Sequence, residues 1–220
     1  MINVAIDGPA GAGKSTIAKM AAKDLGYIYV DTGAMFRAIG LYMIRVGADL
    51  DDSRDIASKV YGADIDIVYE DGVQCVMLNG ENVNSLIRTD EISDAASRVA
   101  VVPEVRKKML LLQRTIAENH DVIMDGRDIG SAVLPNADLK IYLTASVDVR
   151  AERRYKENTE KGMTANLEEI KADIRDRDER DMTRSEAPLT KVSDAIEIDS
   201  SDMTIDEVVS HIEGLIKGLK

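Results

Sequence analysis

Residues 8–15 read Gly-Pro-Ala-Gly-Ala-Gly-Lys-Ser, which matches the spacing G-x-x-x-x-G-K-[ST]. Gly8, Gly11 and Gly13 can take backbone angles closed to other residues, so the chain can approach a ligand closely. After Pro9, which has no N–H, successive N–H groups from Ala10 through Ala12 and on to Thr16 then make an anion-holding concavity at the start of a helix, where the helix dipole also favours negative charge. Lys14 would reach the β- and γ-phosphates of a nucleotide, and the Ser15 hydroxyl would ligate magnesium. The context that the motif needs is present. An apolar run from Ile2 to Ile6 precedes the turn, and Ile17, Met20, Ala21 and Leu25 follow it at helical spacing. These residues point to a nucleoside-triphosphate site.

Four further groups of charge fall where strands or helices end. Arg37 follows Asp31-Thr32-Gly33, and Arg127 with Asp128 follows an apolar run ending at Met124. Arg150, Arg153 and Arg154 stand at i, i+3 and i+4, which puts three guanidiniums on one helical face. Arg177, Asp181 and Arg184 stand at i, i+4 and i+7 on another. Arginine is suited to phosphate because its planar fork donates two parallel hydrogen bonds. For the two helical groups a solvated, salt-bridged face remains the competing reading. Arg127, directly after an apolar strand, points more clearly to a ligand.

The elements that must position these groups alternate. Apolar runs at 2–6, 27–30, 121–124, 139–143 and 195–198 read as short strands, with helical patterns between them, which implies a parallel sheet covered by helices. Helices are expected over 14–25, closed by Gly26; from Asp31-Thr32-Gly33-Ala34 with Thr32 as cap; over 49–61; over 88–102 up to Pro103; beyond Pro103; through the charged stretch 147–184 with a break at Lys161-Gly162; and over 205–219. The texture changes at 64–87. Ile65 to Tyr69 alternates, Glu70-Asp71-Gly72 and Asn79-Gly80 are turn signals, and Val73 to Leu78 returns. A small antiparallel β insert is expected there, or else an edge extension of the main sheet. The fold class is therefore α/β: a three-layer P-loop fold with a five-stranded parallel sheet flanked by helices, a β-rich insert and a lid. The whole chain, 1–220, is expected to be one such domain, with a lid near 155–163.

Composition narrows the function. A net charge of −12 argues against a nucleic-acid partner, because phosphate neutralisation needs surplus Lys and Arg. With 4% aromatic residues and no Trp, there is little to build a base-stacking platform. Cys75 is the single cysteine, so no intrachain disulfide is possible. No apolar run approaches the roughly 18 residues of a membrane span, and the start is a strand rather than a signal peptide. A cytoplasmic enzyme, monomeric and without a membrane partner, is the expectation.

Taken together the motifs resemble the P-loop nucleoside monophosphate kinases, and within them the bacterial cytidylate kinases, over nearly the full length. The resemblance rests on Ile6 to Ser15, Asp31-Thr32-Gly33-Ala34-Met35-Phe36-Arg37, Ala95-Ala96-Ser97-Arg98-Val99-Ala100, Asp125-Gly126-Arg127-Asp128-Ile129-Gly130, and the stretch from Arg177 to Ala187-Pro188-Leu189. The 64–87 insert is similar to the enlarged monophosphate-binding subdomain of that family. Thr32 and Phe36 stand where many relatives carry Ser and Tyr, which keeps a hydroxyl and an aromatic ring. The resemblance implies transfer of the γ-phosphoryl of ATP to CMP or dCMP with Mg2+. It places Thr32, Arg37, Arg127 and Arg184 on the acceptor phosphate, Ser97, Arg106 and Asp128 on cytosine, and Arg177 with Asp181 on the sugar. Arg150, Arg153 and Arg154 would belong to a lid hinge bringing positive charge over the transferring group.

The chemistry also follows from the residue types. Phosphoryl transfer needs two anions held in line while charge on the equatorial oxygens is stabilised, and a P-loop lysine, magnesium and convergent arginines supply that. Water must be kept out, so a mobile lid is expected, and the polar stretch ending at Gly162 is the candidate. Kinases of shikimate, adenylate or UMP, and a non-enzymatic P-loop switch, are the rival readings. The Arg127-Asp128 pair and the insert disfavour the first two. A switch would have no use for a second phosphate pocket.

Overall fold

A computed structural model describes residues 1–70, 73–160 and 162–219. The hairpin turn expected at Asp71-Gly72, and Lys161 of the expected helix break, lie outside the described residues. Eight strands are present among those described: β1 (Asn3–Asp7), β2 (Ile28–Asp31), β3 (Ile65–Glu70), β4 (Val73–Leu78), β5 (Glu81–Asn82), β6 (Val122–Gly126), β7 (Leu139–Thr144) and β8 (Ile196–Asp199). The helices are α1 (Lys14–Leu25), α2 (Thr32–Arg45), α3 (Ser53–Lys59), α4 (Asp90–Val99), α5 (Pro103–Asn119), α6 (Val147–Glu160), α7 (Leu167–Thr183) and α8 (Ile205–Lys217).

The five strands expected from the apolar runs form one parallel sheet in the order β2-β6-β1-β7-β8. The crossover from β6 to β7 passes β1, and in open α/β sheets ligands bind beyond the carboxyl ends of the strands where the order switches. The 64–87 insert is a separate three-stranded antiparallel sheet, β3-β4-β5, so it is not an edge extension.

The chain divides into two compact units, residues 2–27 with 121–220, and residue 1 with 28–120. In the first, β1 is hydrogen-bonded to β6 on one side and β7 on the other, with Ile6 opposite Asp125 and Asp7 opposite Gly126 and Tyr142. Val4, Ala5, Ile6, Ile123 and Met124 have no exposed surface, as befits strands covered on both faces. Gly26 closes α1 in the left-handed conformation, as its position predicts. In the second unit α2 packs on α4 closely enough that a Cβ at Gly40 would sit 3.0 Å from the Ala96 backbone nitrogen.

Some boundaries differ from the sequence expectation. The α2 cap is Asp31, whose side chain accepts the Ala34 N–H at 2.8 Å, while Thr32 is the first helical residue. A carboxylate is the better acceptor at a helix N-terminus because it also meets the helix dipole. The helix expected over 49–61 is shortened to α3 because Asp52 caps it from within, accepting the Arg54 N–H at 2.9 Å. Thr89 likewise caps α4 and moves its start past Arg88. No helix among the described residues is long and apolar enough to cross a membrane.

Candidate active site

The apolar strand β1 ends where Gly8 turns away from the sheet with φ of 149°. A Cβ there would lie 1.9 Å from the Leu143 carbonyl oxygen, so the turn can pass β7 only as glycine. Gly13, at φ 88°, is the N-cap of α1 and supplies no side-chain acceptor to its first N–H groups. Those amides are the donors the motif requires for phosphate. Lys14 is 5% exposed and its Nζ donates to the Pro9 carbonyl at 2.7 Å. Burial, then the nearby Arg127 charge, hold its pKa well below the ordinary lysine value, against the opposing pull of Asp125, Asp7 and Asp181. An anion beside Lys14 would therefore relieve an unfavourably placed cation.

Ser15 Oγ donates to Asp125 Oδ2 at 2.9 Å. Asp125 is buried near the end of β6, beside the strand that feeds the P-loop. A hydroxyl and a carboxylate together are hard oxygen donors of the kind magnesium takes alongside phosphate and water. The sequence reading left Asp125 without a role. Its signal was available, since an acid closing an apolar strand in a P-loop sheet is the usual partner of the motif's hydroxyl.

The loop after β6 gathers the charges expected of an acceptor site. Arg127 Nε donates to Asp181 Oδ2 at 2.8 Å, and Arg184 Nη2 lies 3.6 Å from Asp128 Oδ1. Asp181 comes from α7 and Arg184 from its C-cap. Burial works to raise the Asp181 pKa, but the charge and hydrogen bond of Arg127, with Arg177 and Arg184, outweigh it and hold the carboxyl below its usual range. Arg177, Asp181 and Arg184 are thus not a solvated face. Asp7 Oδ1 and Oδ2 accept the N–H groups of Ile129 and Gly130 at 2.8 and 2.7 Å.

The other unit holds the remaining expected acceptor residues. Arg37 Nη2 reaches Asp31 Oδ2 at 3.3 Å, while its Nε is buried with no partner among the described residues. A buried guanidinium donor left unpaired is costly, and an anion would satisfy it. The Asp31 N–H is held by Gln74 Oε1 at 2.8 Å, which ties the insert sheet to the residue that caps α2 and pairs with Arg37. Thr32 is buried. The Arg106 guanidinium stacks 5.7 Å from the centre of the Phe36 ring, and Ser97 Oγ donates to the Ser93 carbonyl within α4.

The arginines of α6 do not act as one cluster. Arg150 is 4% exposed, pairs with Asp178 and donates to the carbonyls of Ala145 and Ala10 at 2.9 Å each. Its aliphatic stem lies against Gly11. Arg153 donates to the Ser200 carbonyl at 2.8 Å, and Arg154 is exposed. The i, i+3, i+4 pattern could not separate these roles, because the partners come from distant segments. Of the expected lid, 155–160 forms the last turns of α6.

The sequence profile of the family described as cytidylate kinase matches residues 4–218. A cytidylate kinase from Pediococcus pentosaceus is 50% identical over 97% of this chain and 95% of its own. One from Lactobacillus gasseri is 49% identical over 99% of this chain and 94% of its own. Among solved structures, an uncharacterized protein from Eubacterium ventriosum superposes with a TM-score of 0.53 at 13% identity, covering 99% of each chain, which is a likeness of fold alone.

Proposed function

The chain belongs to the cytidylate kinase family, and we propose that it transfers the γ-phosphoryl group of ATP to CMP or dCMP, giving ADP and CDP or dCDP. The observation that carries this reading is that Arg127 and Asp128, in the loop that follows the strand next to the P-loop strand, pair with Asp181 and Arg184 from α7 and its C-cap. A nucleotide switch would need switch segments and a partner surface but no second phosphate pocket. A second set of partly buried arginines and acids is what an acceptor nucleotide requires.

In the proposed mechanism the P-loop amides and Lys14 hold the β- and γ-phosphates, and Lys14 neutralises charge on the transferring group. Ser15 and Asp125 would hold Mg2+, which would supply positive charge to offset that of the phosphates. An oxygen of the acceptor phosphate attacks the γ-phosphorus while the bond to the β–γ bridging oxygen breaks, so ADP leaves with that electron pair. The acceptor oxygen is already ionised, so the step needs no general base. Thr32, Arg37, Arg127 and Arg184 are assigned to the acceptor phosphate, Arg177 and Asp181 to the sugar, and Ser97, Arg106 and Asp128 to the base. Arg153 and Arg154 are assigned to the donor side at a lid over 155–163, and Arg150 acts there through the P-loop backbone. The proposal takes the protein as a monomer acting in the cytoplasm, where both nucleotides are found.

Base recognition supplies the test. Cytosine offers an amino donor where uracil offers a carbonyl, so the Asp128 carboxylate favours cytosine and opposes uracil. Losing one buried match to a charged group corresponds to about tenfold to a hundredfold in specificity. The expected outcome is kcat/KM for CMP above that for UMP by at least about tenfold, with Asp128→Asn narrowing the gap. Equal CMP and UMP efficiencies in the unaltered protein would overturn the cytidylate assignment.

A further inference from the structure

We propose that Asp7, the last residue of β1, is a positioning residue for the acceptor-reading loop: its carboxylate clamps the backbone directly after Asp128 and so sets where Arg127 and Asp128 stand. The inference rests on the reading of Asp128 as the residue that meets the acceptor base.

The geometry is specific to a carboxylate. Asp7 is 5% exposed, and its two oxygens accept from two consecutive amides, Ile129 N–H at 2.8 Å and Gly130 N–H at 2.7 Å. Asparagine would offer one acceptor and turn an amino group toward the other N–H. Those amides open a single π-helical turn, Ile129–Val133, and the Asp128 carbonyl accepts from the Ala132 and Val133 N–H groups at 2.8 and 3.1 Å. The backbone leaving Asp128 is thus bonded to β1 through the Asp7 carboxylate and to its own turn through the Asp128 carbonyl. Side-chain packing adds to the clamp. A Cβ on Gly130 would lie 3.1 Å from Lys140 Cδ and 3.4 Å from Asp7 Oδ2, so the loop is wedged between groups from β1 and β7. The Lys140 ammonium is drawn off to Asp194 at 2.7 Å, which leaves Asp7 to the amides.

The anchor itself cannot drift. Strand β1 is bonded on both edges, and the residue after Asp7 is Gly8, held against Leu143. One strand end therefore carries the phosphate-donor loop in its backbone and the acceptor-reading loop on its side chain. A buried carboxylate is costly unless it is fully hydrogen-bonded, and Asp128 and Lys14, whose charges act on it, both belong to the proposed reaction site. Positioning catalytic groups to within about half an ångström is what such supporting contacts achieve.

The test compares Asp7→Asn with a matched control at the other end of the same strand. Asp121 Oδ1 accepts the Ile2 N–H at 2.6 Å, an equivalent backbone contact remote from the loop. Asp7→Asn is expected to raise KM for CMP by about tenfold, to change KM for ATP by less than about twofold, and to narrow the CMP-to-UMP ratio. Asp121→Asn is expected to lower thermal stability and leave the split between the two KM values unchanged. The proposal is overturned if folded Asp7→Asn keeps the wild-type KM for CMP, if both KM values rise together, or if Asp121→Asn reproduces the split. Amide exchange in the unaltered protein tests the clamp whether or not Asp7→Asn folds. Slow exchange at Ile129 and Gly130 supports it, and exchange at the rate of an open loop overturns it. A wild type that does not phosphorylate CMP would remove the functional reading while the exchange result still judges the clamp.

Discussion

Arg150 and Asp178 form a buried two-point ion pair, Nη2 to Oδ2 at 2.6 Å and Nη1 to Oδ1 at 3.0 Å. The same guanidinium donates to Ala10 of the P-loop and to Ala145 ahead of α6, so one side chain ties helices α6 and α7 to the phosphate-binding turn. Removing one partner of such a pair strands a charge in a poorly solvated place. Asp178→Ala should therefore destabilise the fold by about 3–5 kcal/mol, read by denaturant unfolding, and should raise KM for ATP more than KM for CMP. A change under about 1 kcal/mol, the size of a surface pair, would mean that Arg150 is held by its carbonyl contacts alone.

In the proposed mechanism Lys14 neutralises the charge that develops on the transferring group. Lys14→Ala should leave a folded protein in which phosphoryl transfer falls by a factor of about a hundred to a thousand or more. The folded state needs no help from this ammonium, since burial already disfavours its charged form. Single-turnover rates at saturating ATP and CMP check the point, and near-normal transfer would take Lys14 out of the mechanism.

Arg127, proposed to hold the acceptor phosphate, should separate acceptor from donor handling. It lies in the loop after β6, paired with Asp181 of α7, and it also bears on Lys14 electrostatically. Arg127→Ala should raise KM for CMP by about tenfold to a hundredfold, the loss of a charged hydrogen bond, while ATP affinity measured without CMP changes far less. Equal losses for the two nucleotides would move Arg127 out of the acceptor site.

Burial pushes the Asp7 pKa up from 3.8 to about 6, against the lowering pull of the Gly130 and Ile129 amides. A raised carboxyl binds its proton more tightly folded than unfolded, so its stabilising contribution is complete below about pH 4 and lost as pH rises through about 6. The shift corresponds to about 3 kcal/mol at 1.4 kcal/mol per pH unit. Asp181 acts in the opposite sense, its depressed pKa giving stability that is lost as pH falls. The two separate in a comparison of wild type with Asp7→Asn. The stability of the variant minus that of the wild type should increase by up to about 3 kcal/mol between pH 4 and pH 7, measured by urea unfolding across that range. A flat difference would show that Asp7 does not titrate abnormally.

The amino-acid sequence by itself determined the features written in short spacings. The P-loop from Gly8 to Ser15, the five apolar strand runs, the short strands within 64–87 and the placing of Arg127 beside a strand end are all local patterns, and each is where its spacing put it, whereas the separation of the 64–87 strands from the main sheet came from the fold. Tertiary structure alone decided which distant groups meet. Asp7 and Gly130 are 123 residues apart, Ser15 and Asp125 110, and Arg127 and Asp181 54, yet each pair is in hydrogen-bond contact. The first two follow from a single topological fact, that β6 and β7 flank β1, so the chain ends leaving these strands are brought beside the P-loop. The equal-looking arginines of α6 diverge for the same reason. Periodicity says which residues share a helix face, but the carboxylate or carbonyl facing each one belongs to a segment whose arrival depends on the order of strands, which no local pattern encodes.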